Sequence, residues 1–357
     1  MTMFIYKDEQ FGFVELFNEQ NGTLVRSNND QGKDPLMRSF PELLDVGVMG
    51  HCTSSQYCRN AGIDCYQQGY DICYPHMSVA DFELIARQVY GKTFQIALGG
   101  AGDPNKHPDF EDLLKICRHY RIVPNLTTSG FNLTDKEINC IKKYCGAVAV
   151  SWYSRLIDGR ESNTTTLEAV KRLLAAGCVT HIHYVVSNET IDEAIIRLKE
   201  GLFPEKVNAV IFLLYKPVGF GTVDKVISKD DSRIETFLEL ASERYSFRVG
   251  FDTCFTPAIL SYMKNVSIAS VDACEAGMFS MYIDSRLNCY PCSFGIWSTE
   301  TPENLHDKTL REVWNGKQFT SFRNRCKEKC VCCKKKDFCR SGCRIGLNID
   351  LCDGTYS

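Results

Sequence analysis

The stretch that decides the fold is LLDVGVMGHCTSSQYCRNAGIDCYQQG, residues 43–69. Its first eight residues are an apolar run with the length and branching of a buried strand. The chain then turns at once into a loop carrying three thiols, Cys52, Cys58 and Cys65. A strand that ends directly in a cluster of chemically active side chains is the start of an α/β protein whose site sits at the C-terminal strand ends.

Downstream the same unit recurs. Apolar strand-like runs at 94–98, 123–129, 147–153, 179–187 and 207–217 alternate with helically spaced segments at 78–92, 109–120, 134–145, 165–177, 190–201 and 232–245. Ser78 and Thr134 stand where helix caps belong, and Gly177 where a helix ends. Six strand–helix units with right-handed crossovers predict a barrel or an open doubly wound sheet. Residues 1–42 read as a hairpin-like N-terminal extension, from FIYKDEQFGFVELF. The alternation breaks near 250, which gives three expected units: 1–42, 43–250 and a small metal-stapled domain over 251–357.

The cysteines point the same way. There are 19 in 357 residues, and the count is odd. The chain is long and has no signal-peptide core at MTMFIYKDEQ, which disfavours a secreted disulfide framework and predicts a reducing, cytoplasmic setting. A net charge of -3 argues for neither nucleic acid nor a membrane surface, and no apolar run reaches membrane-spanning length. Four cysteines lie in 52–73 and ten in 274–352, while Cys117, Cys140, Cys145, Cys178 and Cys254 are scattered as core packing would scatter them.

Three thiolates in one loop can hold three irons of a [4Fe–4S] cluster and leave the fourth open, whereas structural zinc wants four closed ligands. Cys73 lies further on, just before the next helix. LGGAGDPNKHPDF (98–110) supplies Gly99, Gly100 and Gly102, where backbone can approach a ligand, and the carboxylate of Asp103, suited to an α-amino group. The tail runs Cys330-x2-Cys333-x5-Cys339-x3-Cys343 and then Cys352, with Cys274, Cys289 and Cys292 upstream and Cys326 and Cys332 as further thiols. Residues 323–344 carry nine Lys or Arg against two acids. That balance suits an anionic cluster, and it also leaves open a zinc-stapled, nucleic-acid-binding protein. His181 and His183 alternate on the fifth strand and so share one face.

In this order the motifs resemble the radical SAM superfamily, in its subfamily with a C-terminal SPASM domain, over residues 43–352. GGAGDPNKHPDF looks like that family's loop for the methionine amino group of S-adenosylmethionine (SAM). NLTTSGFNL (125–133) looks like its third-strand turn, VSWYSR (150–155) like the strand end bearing a ribose-contacting Ser, here Ser151, and CEAGMFSMYIDSRLNCYPCSFG (274–295) like the SPASM entry. The resemblance implies a partial (β/α)6 TIM-like barrel with a small C-terminal iron–sulfur domain. It implies SAM contacts at Gly99, Gly100, Gly102, Asp103, Ser151, Ser187 and Tyr215, and three [4Fe–4S] clusters. Cys52, Cys58 and Cys65 hold the first. Cys330, Cys333, Cys339 and Cys352 hold an outer auxiliary one. Cys274, Cys292 and Cys343 hold an inner one, with its last iron open or bound by Cys289.

The implied activity is reductive cleavage of SAM to a 5′-deoxyadenosyl radical that takes hydrogen from a substrate C–H. A flavodoxin or ferredoxin supplies the electron, and the substrate is a peptide or protein, with a small metabolite as the alternative. Three departures stand out. The first motif has spacings of five and six residues instead of three and two. Asp64 stands where an aromatic precedes the third cysteine. Leu287 stands where a glycine is expected.

Overall fold

The computed structural model describes all residues except 1–2, 33–34, 264–265, 267–270, 299, 341, 346–348, 350 and 353–357. The chain opens with a three-stranded antiparallel sheet, β1 (Met3–Asp8), β2 (Phe13–Asn18) and β3 (Leu24–Arg26). Then β4 (Leu43–Met49) leads through α1 (Ser55–Asn60) to α2 (Val79–Val89). The repeat continues with β5 (Gln95–Gly100), α3 (Phe110–His119), β6 (Val123–Thr128), α4 (Asp135–Tyr144) and β7 (Val148–Ser151). A short ribbon follows, β8 (Leu156–Ile157) with β9 (Arg160–Glu161), then α5 (Thr165–Ala175), β10 (Thr180–Val186), α6 (Ile191–Lys199), β11 (Ala209–Leu214) and α7 (Arg233–Ala241). The remaining elements are β12 (Arg248–Phe251), α8 (Thr256–Tyr262), β13 (Ser280–Ile283), β14 (Asn288–Tyr290), β15 (Glu303–Asn304), α9 (Leu310–Trp314), α10 (Lys317–Arg323) and α11 (Lys336–Cys339).

All six predicted strand–helix units are present, and strand order resolves the alternative left open by the sequence. A doubly wound sheet reverses its order part-way. Here β4, β5, β6, β7, β10, β11 and β12 pair in strict succession, all parallel, as barrel staves do. The order has two ends, so the barrel is partial. The expected caps form too. Ser78 accepts from the Asp81 amide, and Thr134 and Glu137 make a reciprocal capping box.

Alternation along the strands separates two faces. Leu44, Val46 and Val48 of β4 and Ile182, Tyr184 and Val186 of β10 are buried against the outer helices. Each helix returns a matching stripe, such as Phe110, Leu113, Leu114 and Cys117 of α3 at i, i+3, i+4 and i+7. The opposite face of the strands lines the barrel interior and is unusually polar, with Asp45, Asn125, Ser151, His181 and His183.

Past residue 250 the chain does not detach. β12 adds a seventh parallel stave that the periodicity missed, because RVGF is only four residues long. At the other edge β13 pairs parallel with β4, and β14 and β15 extend the same sheet antiparallel. The N-terminal sheet is tied to this edge by a buried ion pair, Arg38 Nη2 to Glu15 Oε2 at 2.8 Å, with both side chains inaccessible. The Arg38 guanidinium stacks 3.7 Å from the Tyr6 ring, and the Arg38 carbonyl accepts from Trp314.

Candidate active site

The loop after β4 gathers its thiols at the C-terminal strand ends. Cys52 precedes α1, Cys58 lies within it, and Cys65 follows after a turn. The three interact electrostatically with one another and with Asp103 from the end of β5. Burial, and then Asp103 and the other two thiols, push the Cys58 thiol up to about 12. Every one of those neighbours becomes anionic when it ionises, so the pocket favours a cationic group bound among them.

Asp103 is held by one residue of the next stave. Ser129 donates to it through its amide (2.8 Å) and its hydroxyl (2.5 Å). Burial holds the Asp103 pKa above the ordinary range, against the pull of those Ser129 bonds and of Lys106. The glycines before it differ in purpose. A Cβ on Gly102 would stand 2.9 Å from the His51 carbonyl oxygen and 3.1 Å from the Cys52 Cα, so only glycine lets this loop pass beside the first thiol. A Cβ on Gly99 would meet nothing, which leaves open space on that side. His107 fixes the loop from below, bonded to the Met77 carbonyl (3.0 Å) and accepting from the Asp109 amide (3.1 Å).

The unusual loop is clamped by residues the family pattern does not anticipate. Asp64 accepts from the Tyr215 hydroxyl (3.0 Å) and from Lys225 (2.7 Å). The Phe220 amide donates to the Cys65 carbonyl, and the Phe220 ring stacks on Tyr70 at 4.3 Å. Tyr215 thus anchors the loop. Ser187 is occupied in its turn, contacting Thr190 Oγ1 (3.2 Å) and accepting from the Glu189 amide (3.2 Å). Ser151 ends β7 and bonds to Tyr153, which faces Cys58. Tyr57 stacks on Phe131 at 4.7 Å beside Tyr153, an aromatic wall next to the thiols.

The C-terminal thiols sort into two groups. Cys330, Cys333, Cys339 and Cys352 interact electrostatically. Cys274, Cys292 and Cys343 form a second set, and burial first, then Cys274, pushes Cys292 up to about 12. Cys289 does not join them. It lies on β14, wholly buried, donates to the Leu287 carbonyl (3.8 Å), and feels Asp284 and Glu303 instead of the other thiols. The CYPC spacing pairs it with Cys292, which lies beyond the end of β14 at the start of the next turn. Cys254, read from the sequence as core, lies within electrostatic reach of Cys274 and Cys343. Cys73 is exposed.

Among the described residues no three Cys, His, Asp or Glu side chains stand close enough to hold a single metal ion. The thiols of each region lie within electrostatic reach of one another, and thiolate is the donor that iron–sulfur clusters take. Backbone amides aim at the sulfurs, from Ser54 to Cys52 (3.3 Å) and from Lys335 to Cys333 (3.4 Å), as they do toward ligating thiolates. The first and inner thiol sets flank one residue: Tyr66 follows Cys65, lies 5.0 Å from the Phe294 ring, and its carbonyl accepts from Trp297 (2.8 Å).

No family model matches the chain. Among known proteins it is similar to the mycofactocin maturase MftC of Mycobacterium tuberculosis, 25% identical over 322 residues, which span 84% of this chain and 77% of that one. Its fold matches Streptococcus suis SuiB bound to S-adenosylmethionine, with a TM-score of 0.72 at 17% identity, covering 96% of this chain and 94% of that one. SuiB bound to its precursor peptide SuiA matches at 0.71, with 16% identity and 96% of each chain covered. The enzyme anSMEcpe with bound AdoMet and the Cp18Cys peptide matches at 0.61, with 17% identity and 88% and 92% covered. In sequence the chain is similar to a radical SAM maturase, and in fold to radical SAM enzymes with a SPASM domain. α1 and the Asp64 clamp shape the chain between the widely spaced thiols, which stay within electrostatic reach of one another.

Proposed function

We propose that this radical SAM enzyme modifies a peptide or protein substrate at an unactivated C–H. The observation that carries the reading is that the loop after β5, with Asp103 held by Ser129, packs directly on the first thiol segment, a Gly102 Cβ standing 3.1 Å from the Cys52 Cα. When bound, the first cluster and SAM together supply a 5′-deoxyadenosyl radical. The chain's own part is to hold and orient. Asp103, pre-set by Ser129, takes the methionine amino group, and the open side at Gly99 admits the backbone contact. Gly100 and Gly102 keep the loop close, Tyr215 holds the cluster loop, and Ser151 presents its hydroxyl beside the aromatic wall. Ser187 shapes the turn after β10.

The cofactor set is SAM with three [4Fe–4S] clusters, on the three thiol groups described. The units 1–42, 43–250 and 251–357 divide the labour among the N-terminal sheet, SAM chemistry and auxiliary clusters. A flavodoxin- or ferredoxin-type protein supplies the electron, in the reducing cytoplasm that such clusters require. Among the described residues no helix is long and apolar enough to cross a membrane. The peptide class is supported by the likeness to MftC and to SuiB in complex with its precursor peptide. The test is anaerobic incubation of reconstituted enzyme, reductant and SAM with small peptides encoded beside it. A mass change in one peptide, with 5′-deoxyadenosine formed, supports the proposal. Cleavage stimulated only by small metabolites overturns the substrate class.

A further inference from the structure

Three segments meet at the inner thiol set, and a fourth joins them. β12 ends at Phe251, and the chain turns through a short helical stretch, residues 253–255, into α8. That turn carries Cys254. Thr256, two residues on, donates its hydroxyl to the Asp272 carbonyl at 2.8 Å, which ties the start of α8 to the segment that bears Cys274. On the other side a Cβ at Gly342 would stand 2.9 Å from Pro257, so the backbone before Cys343 runs against the same helix. The Cys292 segment is drawn in by Lys216, whose ammonium lies 5.0 Å from the Phe294 ring and pairs with Asp252. Cys254 is half-buried between these contacts, within electrostatic reach of Cys274, Cys343 and Lys216. Cys289 has none of these neighbours.

We propose that Cys254 is the fourth protein ligand of the inner auxiliary cluster, completing the set of Cys274, Cys292 and Cys343. The inference rests on the reading above that this trio holds a cluster. It differs from the sequence pattern, which leaves the last iron open or assigns it to Cys289. The missing thiol comes from twenty residues upstream of Cys274, in the turn that directly follows the last parallel stave. Ligation exchanges the Cys254 S–H proton, released to solvent, for an Fe–S bond and changes no oxidation state. A closed inner cluster passes electrons and does not bind substrate directly. Lys216 and its partner Asp252 sit beside two of the four sulfurs, Cys254 and Cys292, as a charged pair that tunes it.

The test uses the full chain, reconstituted anaerobically, with Cys254→Ala, Cys254→Ser, Cys289→Ala and Cys274→Ala compared by iron and sulfide content and by electron paramagnetic resonance. Cys254→Ala is expected either to lose about four irons per chain or to keep an inner cluster whose spectrum shifts on adding β-mercaptoethanol, a shift absent in the parent. Cys254→Ser keeps the iron with an altered spectrum, since an alkoxide can replace the thiolate, and this holds even where the Ala variant fails to fold. Cys289→Ala leaves iron and spectra unchanged. Parental iron and spectra in both Cys254 variants, with iron lost in Cys274→Ala, overturn this proposal alone. Parental iron in Cys274→Ala as well overturns the inner cluster itself.

Discussion

Asp64→Ala is the sharpest perturbation of the unusual cluster loop. One carboxylate oxygen accepts from both Tyr215 (3.0 Å) and Lys225 (2.7 Å), and both bonds disappear together. A hydrogen bond to a charged group contributes about 1.5–3 kcal/mol. The ion pair adds less than about 1 kcal/mol, because about a fifth to a quarter of each side chain is exposed. Two relaxations reduce the total: Tyr215 keeps the Thr222 amide (2.9 Å), and Lys225 keeps Glu189 at 3.5 Å. The net cost to the closed loop is about 2 kcal/mol, or roughly 30-fold in its opening equilibrium. Hydrogen exchange of amides 58–70 in the cluster-free chain reads that directly, and iron loss to a chelator from the loaded enzyme accelerates in parallel. Asp64→Asn, which keeps an acceptor, falls between. Protection within twofold of the parent in the Ala variant would show that Tyr215 and Lys225 do not hold the loop, and the explanation of the wide spacing would fail.

Other outcomes follow from the same geometry. Gly102→Ala pushes its Cβ against His51 and Cys52, so 5′-deoxyadenosine formation drops more than about tenfold, while Gly99→Ala leaves the first cluster's iron intact. Arg38→Ala removes the nearer cation from buried Glu15 but leaves Arg26 at 3.4 Å, and burial with Glu42 raises the Glu15 pKa to about 9. The loss is therefore smaller than the roughly 3–5 kcal/mol of a fully stranded charge, read as a lowered urea midpoint. His183 is held neutral, its pKa lowered to about 4 by burial and then by His181. Its unfolded value is near 6.5. The unfolded chain therefore binds the extra proton between those values, so this residue's contribution to stability falls as pH drops from about 6.5 to about 4 and changes no further below. Urea titrations at pH 7 and pH 5 check it, and His183→Gln flattens the difference.

The barrel was legible because each stave announces itself twice, once as an apolar run and once through the amphipathic helix behind it. β12 was not, since four residues ending in Gly250 and Phe251 carry too little pattern, and the pairing of β13 with β4 joins residues more than 230 apart in sequence. Spacing alone groups Cys330, Cys333, Cys339 and Cys352 within one segment, and Cys339 lies within electrostatic reach of the other three. Spacing pairs Cys289 with Cys292, but it does not show that Cys289 lies on a strand beside Asp284 and Glu303. It was silent on Cys254, whose neighbours are tertiary. Hydropathy could not have exposed the Asp64 clamp either, although an acid beside a candidate ligand was the available signal. Leu287 shows a motif position surviving its residue. The turn between β13 and β14 still takes the left-handed backbone (φ 64°), and the fully buried leucine side chain offsets the roughly 1–2 kcal/mol that conformation costs.

The most direct measurement compares the reconstituted chain with its Cys52/Cys58/Cys65 triple Ala variant, scored for iron and for SAM cleavage in the presence of a strong reductant. The parent is predicted to hold about twelve irons and to release methionine and 5′-deoxyadenosine, whereas the variant loses about a third of the iron and all cleavage. Cleavage retained in the triple variant, or a parent that binds zinc and yields no 5′-deoxyadenosine, would contradict the account.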